Sequence, residues 1–334
     1  MIDAYATIDL SRKLISFAAW ILRMAATLVG AWTALALWFQ FPKPLSLVLI
    51  GIALLITAFV VRMAGRGPIR AWLVFSICLV IVVSWWGSIT PSQHKIWAIE
   101  DAKGVTADFS PDGDIQIHNI RNFDWFTQRN FKPDWETKTF RLDQLKAVDL
   151  VSSSWGMRAI AHTMISFEFA DGRHLVFSPE VRREKSEAFS EFGGFFKQFE
   201  LVLLAGEEND ILRLRTNIRG ETVSLFRLKL SHDQMRDLFM SYLRLGNKLS
   251  YDPEFYKPLT TNWTATIFKL VEMTSPGTAL DWRVFLPGYF PDYLYDHHML
   301  ASDLPLAELK SAADITDRAQ AAPAADYSES IRSP

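Results

Sequence analysis

Three long apolar runs open the chain, over Met24–Phe41, Leu45–Val61 and Ala71–Ile89. A bilayer-spanning helix needs roughly 20 apolar residues, with about 17 as a lower limit. Each run therefore predicts a transmembrane helix. Pro42 and Pro44 break the chain after the first run, and Gly65, Gly67 and Pro68 break it after the second. Upstream, Leu14, Ile15, Phe17, Ala18, Ile21 and Leu22 form one apolar face flanked by Arg12, Lys13 and Arg23. Residues 11–23 are thus either an interfacial helix or a tilted extension of the first span.

The pattern changes after Pro91. Pro111-Asp112-Gly113-Asp114 is a turn signal, and the alternating run Ile115-Gln116-Ile117-His118 follows it. Residues 135–142 alternate in part, and Glu221–Leu230 is a further strand candidate. Ile160–Phe169 and His174–Phe177, joined through Asp171-Gly172, predict a β-hairpin. Ser231-His232-Asp233-Gln234 has the form of a capping box, with Met235, Leu238, Phe239 and Tyr242 at helical spacing behind it. Asn262 precedes another apolar run with helical spacing and predicts an N-cap. Residues 289–310 hold short helical pieces. The expected architecture is a three-helix membrane region over residues 1–89 and a mixed α/β (α+β) domain over 90–312. Residues 313–334, with few large apolar side chains to bury, are expected to be disordered.

Charge separates the same two parts. Residues 1–89 carry seven Lys/Arg and two Asp; of totals of 35 basic and 37 acidic side chains, 28 and 35 remain beyond them. An acidic soluble domain has no electrostatic footprint for nucleic acid. The basic residues also set an orientation. Arg12, Lys13 and Arg23 precede span one, and Arg62, Arg66 and Arg70 fill the loop between spans two and three; Lys43 alone lies in the opposite loop. Basic residues stay cytoplasmic, so residues from 90 onward lie outside, which in a Gram-negative bacterium is the periplasm. The lone cysteine, Cys78, lies inside the third run. It forms no intramolecular disulfide and leaves the soluble domain without a thiol. No metal-binding or phosphate-loop motif occurs, and no cofactor is expected.

Six stretches occur in order: Ser154-Trp155-Gly156, Ala159–Phe167, Glu180–Lys185, Leu212–Asn217, Leu259-Thr260-Thr261-Asn262 and Leu286–Pro291. In these the chain resembles the Lnb N-terminal periplasmic domain family over roughly residues 115–310. The resemblance implies a membrane transacylase chemistry on lipoproteins, with a Cys/His pair, and a domain similar to circularly permuted papain-like (NlpC-type) folds. In that pattern a histidine sits on a strand and a cysteine opens a helix, whose N-terminus and the nearby imidazole stabilise a thiolate that attacks an ester or amide carbonyl. The resemblance places the base at His162, on the predicted hairpin, and Glu180 opposite it as an orienting carboxylate.

The chain departs from the family motif Thr-Thr-Asn-Cys-Thr at one position. Here the stretch reads Thr260-Thr261-Asn262-Trp263-Thr264. An indole N–H only donates hydrogen bonds and offers no nucleophile. Three readings follow. The first is a non-catalytic domain that binds a membrane lipid, a lipoprotein or an envelope partner. The second is an active acyltransferase or hydrolase that uses His162 with Thr261 or Thr264. The third is a structural envelope protein. Arg182 and Arg183 admit either a lipid phosphate or surface ion pairs as partners.

The charge asymmetry makes a direct prediction. Alkaline phosphatase fused after residue 65 should be inactive and after residue 100 active, because only the second junction lies outside the cytoplasm. The reverse pattern would invert the topology.

Overall fold

The computed structural model describes residues 2–188, 190, 192–258 and 281–333, with side chains from residue 13 onward. The chain forms two units: Met1–Pro91 with Ser190–Gln198, and Ser92–Phe189 with Phe199–Pro334.

In the first unit, helices α1 (Ile2–Gln40), α2 (Lys43–Ala64) and α3 (Pro68–Ser88) follow the three apolar runs. Each is long and apolar enough to cross a membrane. Pro42 precedes α2 and Gly67 precedes α3, each followed by a proline inside the first turn. Residues 11–23 continue α1 without a break. Small residues make the contacts between helices: Ala26, Ala64 and Ala71 are buried with Leu22, Val60 and Phe75. Large apolar side chains such as Leu55 and Phe59 face outward, the reverse of a soluble bundle and the arrangement lipid requires. A Cβ on Gly30 would lie 2.3 Å from Thr57 Oγ1 and 2.8 Å from its Cγ2, so α1 and α2 pack this closely only because position 30 has no side chain.

The second unit is a mixed α/β domain built on an eight-stranded sheet. Its strands are β1 (Thr106–Phe109), β2 (Asp114–Arg121), β5 (Trp135–Arg141), β6 (Leu145–Ser154), β7 (Ala161–Phe169), β8 (His174–Arg182), β9 (Glu200–Gly206) and β10 (Thr222–Arg227). The order is β1-β2-β9-β8-β7-β6-β10, with β5 also paired to β2. β2 and β9 run parallel and the other pairs antiparallel. A small hairpin, β3 (Asp124–Trp125) with β4 (Phe131–Lys132), stands apart. The Asp171-Gly172 turn joins β7 to β8, and Ile165 pairs with Phe177.

Side chains alternate across a strand, and here both faces are covered. Ile165, Phe167, Phe169, Leu175 and Phe177 face α5 (His232–Tyr251). The Phe167 ring lies 5.0 Å from that of Phe239, and the Phe177 ring 5.1 Å from that of Tyr242. The capping box at Ser231 and Gln234 starts this helix. Met164 and Val176 point the other way, toward Ile211 and Leu212 of α4 (Glu208–Arg213) and toward the C-terminal segment. The predicted pieces over 289–310 are α6 (Phe290–Asp296) and the start of α7 (Leu306–Ala313).

The expectation of a disordered tail from 313 is corrected. Helices α8 (Thr316–Ala321) and α9 (Tyr327–Ser330) close the second face of the sheet. Ile315, Ala319, Tyr327 and Ile331 are buried there. Ile315 N–H donates to Val223 O at 2.9 Å, which joins the tail to the edge strand β10. The tail is poor in apolar residues, but those it has converge on one surface. Arg332 completes the closure, reaching Glu208 at 2.7 Å and Asp149 at 2.9 Å, both carboxylates buried.

Replacing Arg332 leaves buried Glu208 without its arginine and Asp149 with Arg227 alone; breaking a buried ion pair typically costs about 3–5 kcal/mol. Arg332→Met should lower the stability of the second unit by roughly that amount, read as an earlier urea midpoint of the detergent-solubilised full chain. An unchanged midpoint would make the tail a passive cover.

Candidate active site

His162 lies on β7 and faces away from α5, on the side of the sheet that carries Met164 and Val176. Continuing the pairing of Ile165 with Phe177 brings His162 level with Glu180 on β8. The two side chains meet: His162 Nε2 is 3.3 Å from Glu180 Oε1 and 2.8 Å from Ser178 Oγ. Ser178, two residues before Glu180 and therefore on the same face, donates its hydroxyl proton to Glu180 Oε1 at 2.7 Å. A serine has one proton to give. His162 therefore donates from Nε2 to the Ser178 oxygen. In the neutral ring that leaves Nδ1 with the lone pair, and Nδ1 has no hydrogen-bond partner among the described residues.

Arg215 holds the carboxylate from the other side. It comes from a π-helical turn, Leu214–Arg219, continuous with α4. Such turns project side chains out of the ordinary helical phase and recur at functional sites. Arg215 is buried and donates to Glu180 Oε1 at 2.8 Å and to Glu221 Oε2 at 3.3 Å. Glu221 also accepts from Ser153 Oγ and lies 3.6 Å from Arg219. Glu180 keeps 24% of its side chain accessible yet sits deep in this network. Burial on its own would push the Glu180 carboxyl up; His162 and Arg215 outweigh it, and the carboxyl is held well below its ordinary 4.5. Nearby Asp101 moves the opposite way, to about 7, through burial and the adjacent Glu180 and Glu100.

Two further stretches singled out in the sequence meet beside this network. A Cβ on Gly288 would lie 1.7 Å from Arg158 O, and Gly288 N–H donates to Ala159 O at 3.2 Å. The Leu286–Pro291 stretch thus packs on the loop that leads into β7, an approach only glycine permits.

Arg182 and Arg183 do not join the site. Arg182 is buried and donates to Asp101 O, Ala102 O and Gln93 Oε1, with its guanidinium 4.4 Å from the Trp97 ring centre. Arg183 pairs with Glu100 at 2.6 Å. Both tie the segment ahead of β1 to β8. Asn262 and Trp263, with Thr261 and Thr264, lie outside the described residues, and so does the helix start that a papain-like arrangement requires. Ser178, Arg215, Glu221 and Ser153 were not singled out as site residues from sequence. Strand alternation from Glu180 leads to Ser178, and Arg215 stands inside the Leu212–Asn217 stretch.

A carboxyl whose folded pKa is depressed contributes stability that is present above its unfolded value and lost as pH falls through the folded one. For Glu180 the loss therefore begins below about 4.5. In urea titrations from neutral to acid pH, Glu180→Gln should be less stable than the parent at neutral pH, and the two curves should converge in acid. Parallel curves would remove Glu180 from the network.

No curated protein and no solved structure matches the chain. The family model of the Lnb N-terminal periplasmic domain matches residues 131–288. That span contains His162, Ser178, Glu180, Arg215 and Glu221. Over residues 131–288 the chain is similar to the Lnb N-terminal periplasmic domain family.

Proposed function

We propose that this protein is a multi-pass inner-membrane protein whose periplasmic domain binds an acylated envelope component, a lipid or a lipoprotein, without turning it over. The family match and three apolar helices make it a membrane-anchored protein with a periplasmic domain. The finer reading rests on one contrast. His162 Nε2 is engaged by Ser178 and Glu180, and Nδ1 is unpartnered among the described residues. The position that the family motif gives to the nucleophilic cysteine is Trp263. A base without a nucleophile can accept a hydrogen bond from a bound polar group, but it forms no acyl-enzyme.

The catalytic alternative finds no support in Ser178. Its hydroxyl lies within reach of His162, but its proton goes to Glu180 and its side chain is fully buried.

The test restores the missing atom. In a Cys78→Ser background, Trp263→Cys should react with iodoacetamide at mildly acidic pH faster than a free thiol, because a helix N-terminus and an imidazole lower a thiol pKa. Adding His162→Ala should slow that reaction. Labelling of the parent protein by an acyl-ester probe, lost in His162→Ala, would overturn the non-catalytic reading.

A further inference from the structure

Residues 190–198 interrupt the soluble domain between β8 and β9, yet they pack as part of the membrane unit. The segment contains a tight 3-10 turn, Gly193–Phe196, in which Phe195 N–H donates to Phe192 O at 3.1 Å. Gln40, at the end of α1, donates to Phe196 O at 2.6 Å and Lys197 O at 2.9 Å. Lys197 Nζ donates to Trp86 O at 2.7 Å and Ile89 O at 3.1 Å, capping the last carbonyls of α3. Phe196 is buried, stacked on Phe39 with ring centres 5.2 Å apart, and lies 6.2 Å from the ring of Trp32. Positions 32 and 39 are two turns apart on α1, so the segment lies alongside the final turns of that helix rather than above them.

The same level carries an aromatic belt. The rings of Trp32 and Trp86 meet at 4.8 Å and those of Phe41 and Trp85 at 5.9 Å, with Lys43 Nζ 3.5 Å from the Trp38 ring centre. Rings flanked by lysines are what a helix presents where hydrocarbon gives way to headgroups. Against this belt, Phe192 and Phe195 point outward, 69% and 49% exposed. The run Phe192-Gly193-Gly194-Phe195-Phe196 bears no charge, and nothing in it favours an acidic or basic protein partner.

We propose that residues 192–196 form a lipid-facing wedge, with Phe192 and Phe195 seated among the headgroups and upper acyl chains of the bilayer. The wedge is continuous with the aromatic belt of the helices and rests on the reading of those helices as spans. It gives the periplasmic domain a second attachment to the bilayer, remote in sequence from the Pro91–Ser92 junction. Lipid is the occupant because the surrounding surface at this level is already of the kind lipid covers.

Nitroxide labels on the full chain, in a Cys78→Ser background and in phosphatidylcholine–phosphatidylglycerol vesicles, test the wedge. Single variants Phe192→Cys and Phe195→Cys are compared with Leu55→Cys, on the outer face of α2, and Asp112→Cys, in an exposed polar turn. Power saturation should give both phenylalanine positions an oxygen-to-nickel-chelate accessibility ratio severalfold above that of position 112 and on the side of position 55. Ratios like that of position 112 would overturn the wedge while leaving the spans intact. A water-like ratio at position 55 as well would overturn the membrane reading beneath it. Exclusion of both reagents at 192 and 195 would mean a protein surface covers them, and would replace lipid by a second copy or another partner.

Discussion

The central strands β7 and β8 are covered on both faces, and that constraint governs everything polar on them. Toward α5 the answer is an aromatic core, Phe167, Phe169 and Phe177 against Phe239 and Tyr242. Toward α4 and the C-terminal helices the sheet, α4 and the turn before β10 instead contribute carboxylates, and Asp149, Glu180, Glu208, Asp210 and Glu221 are each met by an arginine. Arg332 serves Glu208 and Asp149, Arg215 serves Glu180 and Glu221, and Arg121 serves Asp210. An arginine suits this position because its planar donors can satisfy two acceptors while its charge stays fixed. Asp210 is the most fully satisfied. It takes two bonds from Arg121, one from Phe123 N–H and one from Trp125 Nε1.

The middle pair is where this construction becomes chemical. Glu180 remains ionised in a deep site because Arg215 and His162 both stabilise its charge. The ionised oxygen in turn fixes the Ser178 proton, and that proton fixes which nitrogen of His162 donates. The imidazole is therefore held at Nε2 by groups that the fold needs for its own burial, and Nδ1 has no hydrogen-bond partner among the described residues. Orientation of this kind, set by partners behind the reacting group, is what acid–base chemistry requires of its support.

Parts of this arrangement were legible in the chain and parts were not. The three membrane helices follow from run length, and the Asp171-Gly172 turn aligned His162 with Glu180. Arg215 was hidden because its role needs a π-helical turn and a partner 35 residues away, neither of which periodicity reveals. The tail misled for a different reason. Composition weighs the number of apolar residues, whereas Tyr327 and Ile331 are one helical turn apart and reach a surface formed by Val151, Met164 and Val176. Arg332 adds partners at positions 149 and 208 that local sequence does not announce.

The same physics bears on a histidine so held in a chain whose sequence has Trp263 where the family motif has cysteine. Removing Arg215 would take from Glu180 and Glu221 the buried cation they share, which costs several kcal/mol whatever the domain's activity. A nucleophilic thiol has no such structural hold. The ion pairs behind His162 are made by Glu180, Arg215 and Glu221, and none of them needs a thiol. The network around Glu180 is a condition of burying that face of the sheet, and for that reason its presence alone is not a signature of catalysis.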